Sequence, residues 1–221
     1  MFQPDQYIAG LTARLQSAWH SRLMYVGLQG SYLRGEATES SDIDIMVVVD
    51  ALSPADLRIY RQAIEAMEGF DLSCGFICGL EELQHWNPLE LCHLLHTTKD
   101  YLGTLKDLFP PYTDRDVRTF VQMSLGNLYH EICHRYIHAP AEHNVHSLPG
   151  TCKAVFFILQ NLHYLRSGRF IGTKKELLSA LGGKDKAMLE TALSLGRGEP
   201  FDFDEAFSLL FNWCKETMAS L

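Results

Sequence analysis

The spacing of apolar residues changes character part-way along the chain. Up to about residue 110, helix-like and strand-like segments alternate; from residue 112 onward every apolar pattern is helical. Residues 5–20 predict a helix, with Asp5 as a candidate N-cap. Leu23–Leu28 (Leu-Met-Tyr-Val-Gly-Leu) is a short apolar run that reads as a buried strand, and Gly30-Ser31 follows it directly. Ile43–Val49 (Ile-Asp-Ile-Met-Val-Val-Val) is the strongest strand in the chain, because β-branched side chains pack well on a pleated surface. Ser53-Pro54 opens a helix over about 54–67, Phe70–Ile77 predicts a third strand, and helices near 88–96 and 99–108 complete this part.

Pro110-Pro111 falls where the pattern changes, and a double proline cannot lie inside a helix. Two domains are expected, 1–110 and 111–221. In the second, Thr113-x-x-Asp116 precedes a long helix to about 138, with apolar positions 117, 120, 121, 125, 128, 132 and 136 on one stripe. Residues 152–166 are apolar nearly all round and read as the central helix of a bundle. Thr173-x-x-Glu176 and Asp202-x-x-Glu205 resemble capping boxes for two further helices. The fold class expected is therefore α/β: a small mixed β-sheet with flanking helices, followed by an all-α helical bundle.

The composition fits a folded, core-forming chain: 47% of the 221 residues are apolar and 21% charged. Nineteen Lys and Arg stand against 27 Asp and Glu, a formal net charge of −8, which argues against a non-specific nucleic-acid binder. No apolar run approaches the roughly 20 residues that span a bilayer. The start, Met1-Phe2-Gln3-Pro4-Asp5, lacks a basic region leading into an apolar stretch, so no export signal is expected. Six scattered cysteines without a Cys-x-x-Cys pair read as reduced thiols, and a cytoplasmic location is expected.

The chemistry concentrates in Gly30-Ser31-Tyr32-Leu33-Arg34-Gly35 and Ser40-Ser41-Asp42-Ile43-Asp44-Ile45. Residues two apart on a strand point to the same side, so Asp42 and Asp44 project together from a strand whose remainder is apolar. Two such carboxylates repel and lose solvation, and a cation relieves both costs. With phosphate oxygens they suit Mg²⁺, a hard ion that prefers oxygen ligands. A strand ending in Gly-Ser before a short helix offers backbone N–H groups and a hydroxyl to an anion. Gly30 lets the backbone approach closely, and Ser31 donates to a phosphate oxygen. The alternative reading is an N-capping Gly-Ser and an incidental acidic strand start.

Gly-Ser, then ten residues, then Asp-x-Asp within a strand resembles the nucleotidyltransferase superfamily typified by DNA polymerase beta. The form Gly-Ser-x-x-Arg-Gly followed by Ser-Asp-Ile-Asp is similar to small bacterial nucleotidyltransferases and to aminoglycoside and streptomycin-type adenylyltransferases. The resemblance implies a Mg²⁺-dependent enzyme that moves a nucleoside monophosphate, AMP from ATP, onto a hydroxyl of a small-molecule acceptor of aminoglycoside type, releasing pyrophosphate. Two Mg²⁺ ions would hold the triphosphate and activate the hydroxyl. The family's third carboxylate, on a neighbouring strand, is best matched by Asp71 at the start of the third strand; Glu81 and Glu82 are weaker candidates. Asp42, Asp44 and Asp71 are thus the candidate metal ligands, and Gly30, Ser31 and Arg34 the nucleotide contacts. In the second half, Tyr164-Leu165-Arg166-Ser167-Gly168 running into Thr173-Lys174 resembles the helical domain of the streptomycin-type enzymes, where a lysine reaches the phosphates. Lys174 or Lys175 takes that role here, and two solvated surface lysines are the alternative. The resemblance to relatives with a general base on the long helix makes Glu131 the candidate. The active site is expected in the cleft between the two halves. A homodimer is left open, and neither nucleic acid nor membrane is an expected partner.

His130-Glu131-Ile132-Cys133-His134 also matches the His-Glu-x-x-His pattern of zinc proteases. Its histidines fall on the side of the helix away from the apolar stripe, and no strands surround it. A histidine-rich polar face is the simpler reading. The rival functions are a nucleotide-binding regulatory or toxin–antitoxin-type module, and an enzyme that adenylylates proteins.

Overall fold

A computed structural model describes residues 3–39 and 41–221; Ser40, part of the motif above, lies outside them. The chain divides into two compact units, Met1–Tyr112 and Thr113–Leu221.

The first unit is α/β. Its elements run α1 (Pro4–Trp19), β1 (Leu23–Leu28), α2 (Gly30–Arg34), β2 (Ile43–Val49), α3 (Pro54–Glu65), β3 (Ser73–Gly79), α4 (Leu80–Gln84), α5 (Pro88–His96), β4 (Lys99–Leu102) and α6 (Leu105–Leu108). The strands form one mixed sheet in the order β3-β2-β1-β4. β1 is antiparallel to β2 and to β4, while β2 and β3 run parallel. The strand period of two splits β2 between two cores. Ile43, Ile45, Val47 and Val49 join Leu11, Leu15 and Trp19 of α1 on one face. Met46 and Val48 join Tyr25, Cys78, Leu83 and Leu105 on the other. Asp44 shares the parity of Met46 and Val48, so it belongs to the second face.

Three sequence expectations are corrected. Asp5 is not the N-cap of α1: Gln3 is, Pro4 fills the first helical turn, and Asp5 sits inside that turn, where its charge still favours the helix dipole. The segment 99–108 is not one helix. Lys99–Leu102 pairs with β1 as an edge strand, and only Leu105–Leu108 is helical. The third strand begins at Ser73 rather than Phe70, because Gly69 (φ 86°) turns the chain into a single 3₁₀ turn over Phe70–Leu72. Within β3, Gly75 has φ 114°, and a Cβ there would overlap the Ile45 backbone. Only glycine lets the β2 and β3 backbones meet this closely.

The second unit is all helical: α7 (Asp114–His138), α8 (Ala141–Thr151), α9 (Lys153–Ser167), α10 (Lys174–Ala180), α11 (Gly183–Gly196) and α12 (Phe203–Ala219). The Thr113/Asp116 capping box forms, and Thr173 and Asp202 accept the N–H groups of Glu176 and Glu205. α9 packs against α7 and α11, and α12 packs against both of these. Val117, Val121, Leu125, Leu128 and Ile132 of the expected α7 stripe are buried, whereas Tyr136 at its end is 52% exposed. α8, with Pro149 inside it, and α11 were not legible as separate helices. No described helix is long and apolar enough to cross a membrane, and all six cysteines are free.

One polar cluster ties the start of β1 to α3. Arg22 donates to Asp56 at 2.9 Å and to Asp50 at 2.9 Å, and Asp56 also takes the hydroxyl and N–H of Ser53 in a capping box. The Arg22 hydrogen bond, followed by those of Ser53, pulls the Asp56 carboxyl down to about 2. A carboxyl depressed on folding stabilises fully above its unfolded value near 4, and that stability is lost as pH falls toward 2. Arg22 is partly exposed, so solvent screening trims the ion-pair part. Asp56→Asn is expected to cost roughly 1–3 kcal/mol at pH 7. It should also flatten the acid limb of the melting-temperature profile between about pH 4 and pH 2, as measured by thermal denaturation.

Candidate active site

The site is built where α2 is laid on the start of β2. β1 ends at Leu28, and the Gln29 N–H donates to the Asp44 carbonyl at 2.8 Å, which pins the turn to β2. The Gln29 side chain donates to Thr98 Oγ1 at 2.8 Å, ahead of β4. Gly30 follows with φ 70°, and a Cβ built on it would overlap Asp44 Oδ2. The first residue of α2 therefore lies directly against the Asp44 carboxylate, which only glycine permits. Ser31 sits in the first turn, where N–H groups lack intrahelical acceptors.

Asp42 immediately precedes β2 and is exposed; Asp44, its second residue, is half-buried. Burial pushes the Asp44 carboxyl above its ordinary value; a hydrogen bond from Cys74 and the charge of Arg34 oppose this, and the charge of Asp42 adds to it. Arg34, at the end of α2, donates from Nε to Glu36 at 3.0 Å. His93 of α5 faces the Arg34 charge; burial first, then Arg34 and His96, bring its pKa down to about 4, so the imidazole is neutral near pH 7.

The structure brings Gly30, Arg34 and Asp42 near Asp44 and does not add Asp71 to them. Asp71 is exposed in the 3₁₀ turn, two residues before the first β2–β3 pair, Ile43↔Ser73. Opposite Asp44 on β3 stands Cys74. Glu81 and Glu82 are exposed in α4, beyond the other end of β3. Among the described residues, no three His, Cys, Asp or Glu side chains are placed to hold a metal ion unaided. Mg²⁺ commonly takes one or two carboxylates and completes its shell with phosphate oxygens and water. The oxygen pair of Asp42 and Asp44, one of them driven up by burial, fits that requirement.

In the second unit, Lys174 opens α10 with Nζ 5.8 Å from the Phe156 ring, and Lys175 beside it is exposed. Buried Gln160 donates to the carbonyls of Ile171 and Gly172, which fixes the approach to α10. Glu131 is engaged: Arg135 lies 2.9 Å away and Thr151 donates to it at 3.0 Å, joining α7 to α8. His130, His134 and His138 form an exposed stripe with ring centroids 5.8 Å and 4.8 Å apart, the polar face expected of them. Trp86 stacks on Phe76 at 5.6 Å and donates to Glu90, so its ring is a packing element.

Residues 14–76 match the family model for the nucleotidyltransferase domain. The chain carries a nucleotidyltransferase domain. It is therefore an enzyme of the transferase class. The match runs from within α1 to the middle of β3 and takes in Gly30, Asp42, Asp44 and Cys74. The whole chain shares the fold of the spectinomycin adenyltransferase AAD(9) from Enterococcus faecialis, solved with ATP and spectinomycin. That structure is 17% identical, with a TM-score of 0.59 over 98% of this chain and 100% of the other. A toxin–antitoxin structure with AMP-PNP aligns at 20% identity over 57% of this chain and 91% of its own, with a TM-score of 0.33. No curated protein matches the sequence.

Two predictions follow the geometry of the nucleotidyltransferase domain. Gly30→Ala places a methyl group in the space of Asp44 Oδ2; isothermal titration is expected to show nucleotide affinity falling at least about tenfold, while far-UV circular dichroism stays close to wild type. Asp44→Asn removes a carboxyl whose pKa is raised on folding. Such a group holds its proton more tightly when folded, so it costs stability as pH rises past the unfolded value near 4, and the cost is complete above the folded value. Without divalent ions at pH 7, Asp44→Asn should therefore melt at a higher temperature than wild type, and the gap should close as pH falls toward 4.

Proposed function

We propose that the protein is a Mg²⁺-dependent adenylyltransferase that moves AMP from ATP onto a hydroxyl of a small molecule of aminoglycoside type. The observation that carries this reading is the contact of Gly30 with the Asp44 carboxylate, beside Asp42, within a nucleotidyltransferase domain. Such a juncture lets an anion on the α2 N–H groups and a cation on the two carboxylates lie side by side, as a nucleotide–Mg²⁺ complex demands. The choice of ATP and of an aminoglycoside-type acceptor takes its support from AAD(9), which shares the fold and was solved with both kinds of ligand.

In this reading the acceptor oxygen attacks the α-phosphorus in line, the bond to the bridging oxygen breaks, and pyrophosphate leaves. Bound Mg²⁺ would neutralise charge on the triphosphate and lower the pKa of the attacking hydroxyl. Asp42 and Asp44 would hold that ion. Gly30 and Ser31 present N–H groups to the phosphates, and Arg34 offsets the Asp44 charge beforehand. Positioning supplies most of the rate, because little covalent chemistry falls to the protein. Lys174 and Lys175 are proposed as phosphate contacts. Glu131 serves as a base only by releasing Arg135 and Thr151, so the acceptor proton passes more simply to solvent.

With α-³²P-labelled ATP, Mg²⁺ and a panel including spectinomycin and streptomycin, label is expected to move to an acceptor. Asp44→Asn should lower the rate on the order of a hundredfold or more. Label arriving on protein side chains instead would make this a protein-adenylylating enzyme, and full transfer by Asp44→Asn would overturn the assignment.

A further inference from the structure

Five of the ten histidines fall within residues 130–146, at His130, His134, His138, His143 and His146. The first three stand four residues apart on α7, so they project from one side of that helix. All three are exposed, and the ring centroids lie 5.8 Å apart for His130 and His134 and 4.8 Å apart for His134 and His138. A divalent transition ion binds an imidazole nitrogen at about 2.0–2.1 Å, which puts it about 3.2 Å from the ring centroid. Two rings that meet at such an ion at about 90–109° have centroids about 4.5–5.2 Å apart. His134 and His138 already stand at that separation, whereas His130 and His134 are wider. The pair that fits an ion is thus one turn beyond the His-Glu-x-x-His pattern. Glu131 of that pattern is held by Arg135 and Thr151, so no free general base accompanies it. Among the described residues no third ligand completes the set, which leaves the other coordination positions to water.

We propose that His134 and His138 form a two-imidazole binding site for a late first-row transition ion, Zn²⁺, Ni²⁺ or Cu²⁺, in the last turns of α7. Imidazole is a donor these ions favour, and Cu²⁺ binds it most tightly. Mg²⁺ prefers oxygen ligands and gives up water reluctantly, so this site differs in chemistry from the Asp42–Asp44 pair and stands independently of the nucleotidyl-transfer reading. The helix holds the two rings close before any ion arrives, so binding has only their rotamers left to order. A cation there also meets the negative end of the helix dipole, since His138 is the last residue of α7. The bound ion ties two successive turns together at the end of the helix. With two protein ligands it stays exchangeable, unlike a closed structural zinc with four.

The experiment titrates Zn²⁺ alone into the chelator-treated full chain by isothermal calorimetry, with excess Mg²⁺ present to compete at oxygen ligands. Wild type is compared with His130→Ala, His134→Ala and His138→Ala. Wild type is expected to bind Zn²⁺ and to melt at a higher temperature with it than without it. His134→Ala and His138→Ala should each weaken binding by at least about tenfold and lose the thermal shift, while His130→Ala stays within about threefold of wild type. Metal-free melting temperatures should agree in all four, because the three side chains are exposed. Electron paramagnetic resonance of bound Cu²⁺ should show two coupled nitrogens in wild type and fewer in His138→Ala. No Zn²⁺ bound by wild type overturns the proposal, and so does binding that survives both His134→Ala and His138→Ala. Loss in His130→Ala with none in His138→Ala overturns the choice of pair. Should an alanine variant fold poorly, His134→Gln and His138→Gln carry the same comparison.

Discussion

The Asp44 carboxylate and the Gly30 backbone occupy adjoining space, with no room between them for a Cβ. Around that contact three local features build the site. The Gln29 N–H must reach the Asp44 carbonyl for β1 to hand the chain to α2 at the right height. The left-handed conformation of Gly30 must then turn α2 along the start of β2. Together they bring Arg34, at the end of α2, within electrostatic range of Asp44. The sheet imposes the rest: with β2 inside it, Asp44 is half-buried, and its charge is uncomfortable in the protein alone. The same burial that costs stability raises the value of any cation that arrives, which is how an active site trades stability for function.

The fold was legible where one local rule dominated. Ile43–Val49 is β-branched and apolar over seven residues, and no other element suits such a run. Thr113 with Asp116 and Ser53 with Pro54 announce helix starts through groups that satisfy orphan N–H donors. Legibility failed where the deciding partner was distant in sequence. Lys99–Leu102 carries no apolar alternation, and its strand character comes from pairing with β1, some seventy residues earlier. The start of β3 depended on Gly69, whose left-handed turn delays the strand to Ser73.

The site divides in the same way. Gly30, Asp42 and Asp44 were visible because spacing along one segment brings them together. Cys74 was not, although it is the second residue of β3. Its place opposite Asp44 comes from the parallel register, and register is set by Gly75 against the Ile45 backbone rather than by Cys74 itself. Asp71 has the chemistry of a third carboxylate, while the turn over Phe70–Leu72 takes that residue out of pairing. His93 was equally hidden, since nothing in its own segment indicates that Arg34 faces it.

The net charge of −8 gains meaning from how the cations are committed. Arg22 is paired with Asp50 and Asp56, Arg34 with Glu36, Arg135 with Glu131, and Arg166 with Asp185. The Arg22 and Arg166 pairs join separate segments, the Arg34 pair sits at the end of α2, and the Arg135 pair lies within α7. Among the described residues, none of the ion pairs includes Asp42 or Asp44. Arg34 acts on Asp44 through its field while its Nε is directed to Glu36. A protein that needed these aspartates only for folding would gain by pairing them as it pairs Asp56. Leaving two neighbouring carboxylates to be compensated from outside, at the edge of a buried strand and against a glycine that admits no side chain, is an arrangement that, in the proposed reading, a metal-bound triphosphate would complete and that packing alone does not explain.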